Sequence, residues 1–473
     1  MIRRFGGQRS LFDAAVGPVE ALLDEPLRRL DALLDDEALV TTVLQRQAQR
    51  WPQSRWRGRP GTPADVALRL LVLKRVKGWS FEETEREVRG SLVYRWVTRI
   101  YLGRVPDAKT LLRLSHVVGE EGVRALHARV VELAIAAMRV QGRRARLDTT
   151  VVETNIHYPT DSTLLADGIR AVTRAMRRIE AATGILGRRV RNRLRATRRR
   201  VWEIVRASRR QRRGRPSLIE GYRRLIALAR ATVREARRVV HEVATGVRQA
   251  TGARARRLVA RSCQVLEAFL PRVEQVIRQT RIRVWSGDTH YREKLFSLFE
   301  PHTEAIRKGK AAKPTEFGKL VKIQEAEHGL VIDYEVYARR PADKTLLQPA
   351  IARHTEVFGR PPRLVAADGG FWSGANRQAA EQVGVKRFCI PTPGPPATEH
   401  HLQHQRWFRR GLRWRTGCEG RISVLKRRDG LARCRYRGFS GVQRWVGWGV
   451  VAHNLHLLIH RNRRPGINVP TAR

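Results

Sequence analysis

The sequence predicts an α/β protein in which a long arginine-rich helical segment splits the sheet-forming region and an all-helical region precedes it. Apolar residues recur at helical spacing up to about residue 140. A run rich in β-branched residues, RLDTTVV, follows, and strand-like and helix-like segments alternate over residues 281–460. Between them, residues 165–280 contain 31 Arg, no Lys and eight acidic residues, with apolar residues at helical spacing.

The charge balance indicates a polyanionic partner. The 473 residues include 94 Lys and Arg against 44 Asp and Glu, a formal net charge of +50. Self-repulsion of this size is unfavourable unless a polyanion neutralises it, so we expect nucleic acid as the partner. A coding bias toward Arg is the alternative explanation of the count. The length predicts two or three domains.

Cysteine spacing and hydropathy exclude several other classes. The four cysteines show no metal-finger or redox spacing, so we expect free thiols in a reducing compartment and no zinc site. The sequence has no secretion signal and no run of about 18 apolar residues. These patterns predict a cytoplasmic protein, soluble or associated with the nucleoid, with no membrane partner.

Residues 1–140 are expected to form a helical domain for DNA binding or dimerisation. Gly78 and Ser80 separate two helical patterns, and Ser80 is a suitable cap for the helix that begins with FEETEREV. This layout is typical of a helix-turn-helix, and plain bundle packing produces the same pattern.

Residues 141–164 contain a predicted strand with Asp148, and residues 165–280 are predicted to form three or four long helices. Breaks at 184–187, 214–216 and Gly252 separate these helices. We expect the arginine-rich segment to bind DNA by its charge; the alternative is a solvated coiled-coil spacer without a fixed ligand.

Residues 281–460 return to an α/β pattern. RIRVWSGD, KLFSLFEP and KLVKIQEAEHGLVIDYEVYA read as strands, the last with a hairpin turn at 327–329. A loop that precedes this hairpin contains Lys308, Lys310 and Lys313, which either contact phosphate or are simply solvated. Asp368 ends the strand RLVAAD and is followed by two glycines, which is where open α/β sheets place ligand sites, although Asp-Gly is also a common turn.

The stretch WFRRGLRWRTGCEGRISVLKRR contains a single carboxylate, Glu419, among many cations. We expect Glu419 near the start of a short amphipathic helix, with Arg415 and Lys426 on either side of it and Arg421 as a further DNA contact. An acid among cations is typical of metal-dependent chemistry on a phosphodiester, provided that Asp148 and Asp368 join it. The alternative for Glu419 is neutralisation of a basic helix face.

Other residues compete for these roles. Asp343 is interpreted as a helix cap, Asp333 as a mid-strand residue and Asp288 as part of a turn. Histidines at 400–404 and 453–460 are interpreted as core or phosphate-contacting residues. Trp372, with Trp407 and Trp414, either stacks on an unpaired base or packs in the core.

The chain resembles the DDE transposases of bacterial insertion sequences, and specifically the ISNCY-type group, over about residues 50–460. The matching pieces are LDTTVVETNIHYPTDS, LFEPHTEAIRKGKAAKPTEFG, VAADGGFWS and the region around Glu419. The family signature of Tyr, two residues, Arg, three residues, Glu, six residues and Lys fits Arg415, Glu419 and Lys426, with Leu412 at the Tyr position.

The resemblance implies an RNase H-like catalytic core with Asp148 on its first strand, Asp368 on its fourth strand and Glu419 on a following helix. It implies that these acids bind two Mg²⁺ or Mn²⁺ ions, without a small-molecule cofactor, and that the protein cleaves double-stranded DNA at the ends of its element and joins them to a target. A homodimer is expected to hold the two DNA ends of the element together. The implied core comprises residues 141–164 and 281–460, followed by a basic tail, 461–473. A decayed, non-catalytic DNA-binding protein and a structure-specific nuclease are the alternatives.

Overall fold

The computed structural model describes residues 2–5, 14–15, 19–50, 53, 57–184, 189–210, 215–307, 314–392 and 397–460. The chain divides into two compact units. The first unit is formed by Met1–Asn155 together with Ile306–Arg473, and the second unit is Ile156–Ala305. The first unit is therefore built from two segments of chain that flank the second.

The N-terminal part of the first unit is helical, as the sequence predicts. Its helices are α1 (Glu25–Leu33), α2 (Glu37–Arg50), α3 (Ala64–Val76), α4 (Phe81–Gly90), α5 (Leu92–Val97) and α6 (Ala108–Met138). Helix α3 is buried along almost its whole length because apolar residues such as Leu70 and Leu73 lie on all of its sides. Ser80 begins α4 with a reciprocal capping box that includes Glu83, so the predicted cap is confirmed.

Four helices are described in the second unit. They are α7 (Asp161–Thr183), α8 (Leu194–Arg209), α9 (Arg215–Ala244) and α10 (Ala253–Arg281). Each has an apolar face, and these faces meet in a core that includes Ile169, Met176, Leu225 and Leu266.

Two predicted strands in the second unit are wrong. Residues Ile282–Ser286, within RIRVWSGD, extend α10 as a π-helical turn. In KLFSLFEP no strand is formed, because Leu295 and Leu298 pack into the helical core. The side-chain amide of Gln279 also bonds both backbone groups of Leu295, which leaves them no strand partner.

A mixed six-stranded sheet forms the second part of the first unit, and its presence confirms the predicted α/β pattern. The strands are β1 (Arg144–Glu153), β2 (Glu304–Arg307), β3 (Thr315–Glu325), β4 (Val331–Val336), β5 (Leu364–Ala366) and β6 (Arg387–Cys389). Their order is β2-β3-β1-β5-β6, with β4 also paired to β3. Strand β3 is antiparallel to β1 and β4, whereas β1, β5 and β6 are parallel. The hairpin predicted around 327–329 joins β3 to β4.

The described residues of the first unit form five further helices: α11 (Leu347–Phe358), α12 (Gly374–Gln382), α13 (Ala397–His404), α14 (Arg406–Arg427) and α15 (Phe439–Ile459). Leu347 and Ile351 of α11 pack on one face of β1 and β5, and Phe408 of α14 packs on the other. None of the described helices combines the length and the apolar character needed to cross a lipid bilayer.

Candidate active site

Asp148 lies near the middle of the central strand β1, on the face covered by α14. Arg146 shares this face by the two-residue period of a strand, and its guanidinium donates to the carbonyl of Trp414 on α14 and lies 4.9 Å from the Trp414 ring. Burial raises the pKa of the Cys418 thiol well above its usual value, and the nearby charges of Glu325 and Asp148 raise it further. Asp148 is therefore close to the part of α14 that contains Cys418.

Asp368 follows β5 at the level of Asp148. The parallel register pairs Arg146 with Ala366, and each aspartate lies two residues further along its own chain. Ala366 packs with Phe408 on the α14 face, so the pleat directs Asp368 to the same face as Asp148. Neighbouring strands are separated by about 4.8 Å. Asp368 is exposed, and its Oδ1 accepts the N–H of Gly369 at 2.6 Å.

Glu419 lies on α14, thirteen residues after the helix begins at Arg406. The prediction that it starts a short helix is wrong, because the sheet-facing residues Phe408, Gly411, Cys418 and Leu425 continue one apolar face through all 22 residues of the helix. Glu419 is 59% exposed, next to the sheet-facing Cys418, and its carboxylate accepts a 2.9 Å bond from Arg415 one turn earlier.

Glycines let α14 approach the sheet closely. A Cβ at Gly411 would lie 2.5 Å from the Sγ of Cys389 on β6, and one at Gly417 would overlap the guanidinium of Arg146. The sequence reasoning did not single out these positions; the signal is two glycines at the sheet-facing side of a helix that otherwise contains large residues.

A buried ion pair lies beneath this part of α14. Arg146 Nη2 is 2.7 Å from Glu325 Oε2, and the Glu325 side chain is fully buried. Arg421 approaches the same carboxylate oxygen at 3.4 Å. Arg421, which the sequence assigned to DNA, thus has a protein partner in this structure.

Two family models match the chain. The first is a transposase domain (DUF772), over residues 19–116, and the second is a transposase DDE domain, over residues 396–459. These two matches support a DDE transposase of insertion sequences. Glu419 falls inside the DDE-domain match, while Asp148 and Asp368 fall outside both matches. Comparison with the curated proteins and with the solved structures gives no match.

The three predicted acids are not gathered into a preformed metal site in the part of the chain that the structure describes. Within the described residues, no group of three or more His, Cys, Asp or Glu side chains is arranged to hold a metal ion. The strand register brings Asp148 and Asp368 to one level, whereas the Glu419 carboxylate is turned toward Arg415. Their carboxylate oxygens are nevertheless the donor type that Mg²⁺ and Mn²⁺ prefer.

A fourth carboxylate lies at the same end of the sheet. Asp343 Oδ1 is 3.5 Å from the hydroxyl of Thr149, and its side chain lies beside Gly370. The predicted capping role is not observed, since Asp343 is the first residue of a 3-10 turn that follows Ala342. Thr149 lies on the opposite face of β1 from Asp148, and no local sequence pattern indicated that Asp343 lies close to it.

The remaining residues that the sequence predicts to contact DNA differ in their surroundings. Lys426 lies 3.7 Å from Glu316, and Trp372 is half-buried against the core beneath α11. Trp407 and Trp414 pack against Phe408 and its neighbours. Lys308, Lys310 and Lys313 lie outside the described residues, as does the basic tail.

Proposed function

We propose that this transposase binds the ends of its insertion sequence and performs metal-dependent strand cleavage and strand transfer. The single observation that supports this most is the parallel register of β1 and β5, which brings Asp148 and Asp368 to one level beneath α14. We assign them, with Glu419, as the residues that hold two Mg²⁺ or Mn²⁺ ions.

The strand order supports an RNase H-like core, which we propose for the sheet of the first unit. A central β1 is flanked by the antiparallel β3 and β4 on one side and by the parallel β5 and β6 on the other. In this arrangement the first acid lies on the central strand, the second follows its parallel neighbour and the third lies on the helix that covers both. Asp148, Asp368 and Glu419 occupy these three positions.

The bond between Glu419 and Arg415 does not prevent Glu419 from serving a metal. The Glu419 side chain is more than half exposed, and ion pairs of this kind, four residues apart on a helix, contribute only about 0.3–0.5 kcal/mol. Rotation of Glu419 toward the two aspartates would cost little and would leave the Arg415 guanidinium free to bind a phosphate next to the reacting bond.

When bound, a pair of divalent ions activates the attacking oxygen and stabilises the leaving oxygen of an in-line displacement at phosphorus. The chain itself positions the DNA. Arg415 and Lys426 border the acids and are proposed to hold the flanking phosphates, and the net charge of +50 attracts the polyanion from solution. Two ends must meet for transfer, so we propose a homodimer as the working assembly.

Cleavage of a labelled terminal DNA in the presence and absence of Mg²⁺ tests the proposal. Asp148→Asn, Asp368→Asn and Glu419→Gln should each abolish nicking while DNA binding persists. Glu335→Gln on β4 is the matched control, because Glu335 is half-exposed and its one ion-pair partner among the described residues is Arg124 on α6. Wild-type activity in any of the three acid variants refutes the assignment of that residue, and release of a nicked product that never joins a target shows a nuclease instead.

A further inference from the structure

A groove of about 790 Å³ lies between α9 and α10 of the second unit. Its floor includes Ile226 and Ile282, and its walls are formed by arginines: Arg223, Arg230 and Arg234 from α9, and Arg278 and Arg281 from α10. Trp285 and Ser286 lie at the end of α10 and complete the lining. We call this feature the α9–α10 groove.

The arginines form two rows along the groove. Positions 223, 230 and 234 fall seven and four residues apart, which places them on one side of α9 over about 16 Å at a rise of 1.5 Å per residue. Positions 278 and 281 are three residues apart and therefore share a side of α10. The two rows of arginines therefore line the same groove.

Four of these arginines have no carboxylate partner among the residues that the structure describes. Other exposed arginines of the unit do have one, for example Arg224 with Glu220 at 2.7 Å and Arg237 with Glu274 at 2.6 Å. The four are Arg230, Arg234, Arg278 and Arg281. Their exposed side chains make neither an ion pair nor a hydrogen bond with any residue that the structure describes. No acidic residue lines the groove. Such a concentration of like charge is stabilised only by a bound polyanion.

Trp285 adds an apolar surface to this charged groove. Its side chain is 43% exposed, although a tryptophan without a partner is normally buried. An exposed ring at one end of a basic track is the arrangement by which proteins hold unpaired bases, because each base can stack on it whatever its identity. Trp202, on α8, is also exposed but lies outside the groove lining.

We propose that the α9–α10 groove binds a single phosphodiester strand of DNA and that Trp285 stacks on an unpaired base of that strand. The axes of packed helices lie about 8–10 Å apart, so the two arginine rows are close enough to contact the phosphates of one strand together. The inference rests on the proposed function, since it takes DNA as the substrate, and it deepens that function by assigning a place to the unpaired strand of a processed end.

The test measures binding of the full-length protein to fluorescent DNA in a chelator, so that no cleavage occurs. Two probes are compared, a blunt duplex and the same duplex with a single-stranded overhang. The groove variant replaces Arg230, Arg234, Arg278 and Arg281 by Ala. The control variant removes the same charge from four exposed, ion-paired arginines of the unit, Arg170, Arg199, Arg224 and Arg237.

In the groove variant the preference for the overhang should disappear. The binding constant K of the overhang probe falls as salt rises, and the steepness of log K against log salt should decrease by about 3 in the groove variant. Four phosphate contacts are lost, and each contact of a single strand contributes roughly 0.7. The control variant should keep the preference. An equal effect of both variants, or equal losses on the blunt and overhang probes, overturns the proposal. Circular dichroism of both variants verifies that the helices remain folded.

Stacking of a base on Trp285 can be measured separately. With 2-aminopurine in the overhang, stacking quenches the fluorescence of the probe, and Trp285→Ala should abolish the quenching and weaken binding roughly 5- to 150-fold. Trp285→Phe should restore part of it, and Trp202→Ala should change neither. Quenching that survives in Trp285→Ala refutes the stacking. Failure of the groove is distinguishable from failure of the proposed function, because only the latter removes Mg²⁺-dependent nicking.

Discussion

The buried pair beneath α14 gives the most quantitative prediction. Glu325 is fully buried between Arg146 at 2.7 Å and Arg421 at 3.4 Å, and the Arg146 side chain is only 7% exposed. At an effective dielectric constant of about 20, the attraction between Arg146 and Glu325 is about 6 kcal/mol before desolvation is subtracted. Removal of one partner leaves a buried charge without its counterion, so Glu325→Gln should lower the free energy of unfolding by about 3–5 kcal/mol.

Urea denaturation followed by tryptophan fluorescence measures this loss in the first unit, because only Trp202 and Trp285 of the 11 tryptophans belong to the second. The double variant Arg146→Met with Glu325→Leu removes both charges and should recover most of the lost stability, since apolar residues of similar volume often replace a buried pair at no cost. A loss below about 1 kcal/mol in Glu325→Gln, the range of exposed pairs, would refute the reasoning. A double variant no more stable than the single one would contradict it as well.

Three further predictions concern the stability of the first unit. Burial lowers the pKa of His127 to about 4 from its usual value of 6.5, so the unfolded chain takes up the proton first as the pH falls. Stability measured by urea titration should therefore decline between pH 6.5 and 4, by up to about 1.4 kcal/mol per pH unit, and His127→Gln should reduce this slope. Gly411→Ala should cost about 1–3 kcal/mol, because the added methyl group meets Cys389; a matched Gly420→Ala, where the space is open, should not destabilise. Ser80→Ala should cost about 1 kcal/mol through the lost cap, and an unchanged melting temperature would contradict that role.

Local sequence patterns predicted those elements that are specified by residues within the element itself. The alternation around Asp148, the hairpin at 327–329 and the capped helix at Ser80 are all present, since turn residues and periodicity specify them within a few positions. KLFSLFEP was misread as a strand because its apolar residues fit either a sheet or a helical core, and contacts with the helical core and with Gln279 decide between them.

The buried ion pair beneath α14 could not be predicted from local sequence patterns. Arg146 and Glu325 are 179 residues apart, and neither has a neighbour in sequence that indicates the pairing. The length of α14 was missed for a related reason. Its arginines suggested a solvated stretch, whereas small and apolar residues at positions such as Gly411 and Cys418 actually set the face that contacts the sheet.

The central position of β1 has a consequence during synthesis. Strand β1 leaves the ribosome long before β3, because about 170 residues separate paired positions such as Thr150 and Val321. At translation rates of roughly 5–20 residues per second, the nascent β1 waits some ten to thirty seconds for its partner. Val151 and Val152, fully buried in the folded protein, lack their core partners on β3 throughout that interval. A chaperone that binds this strand early would therefore protect its apolar residues from aggregation.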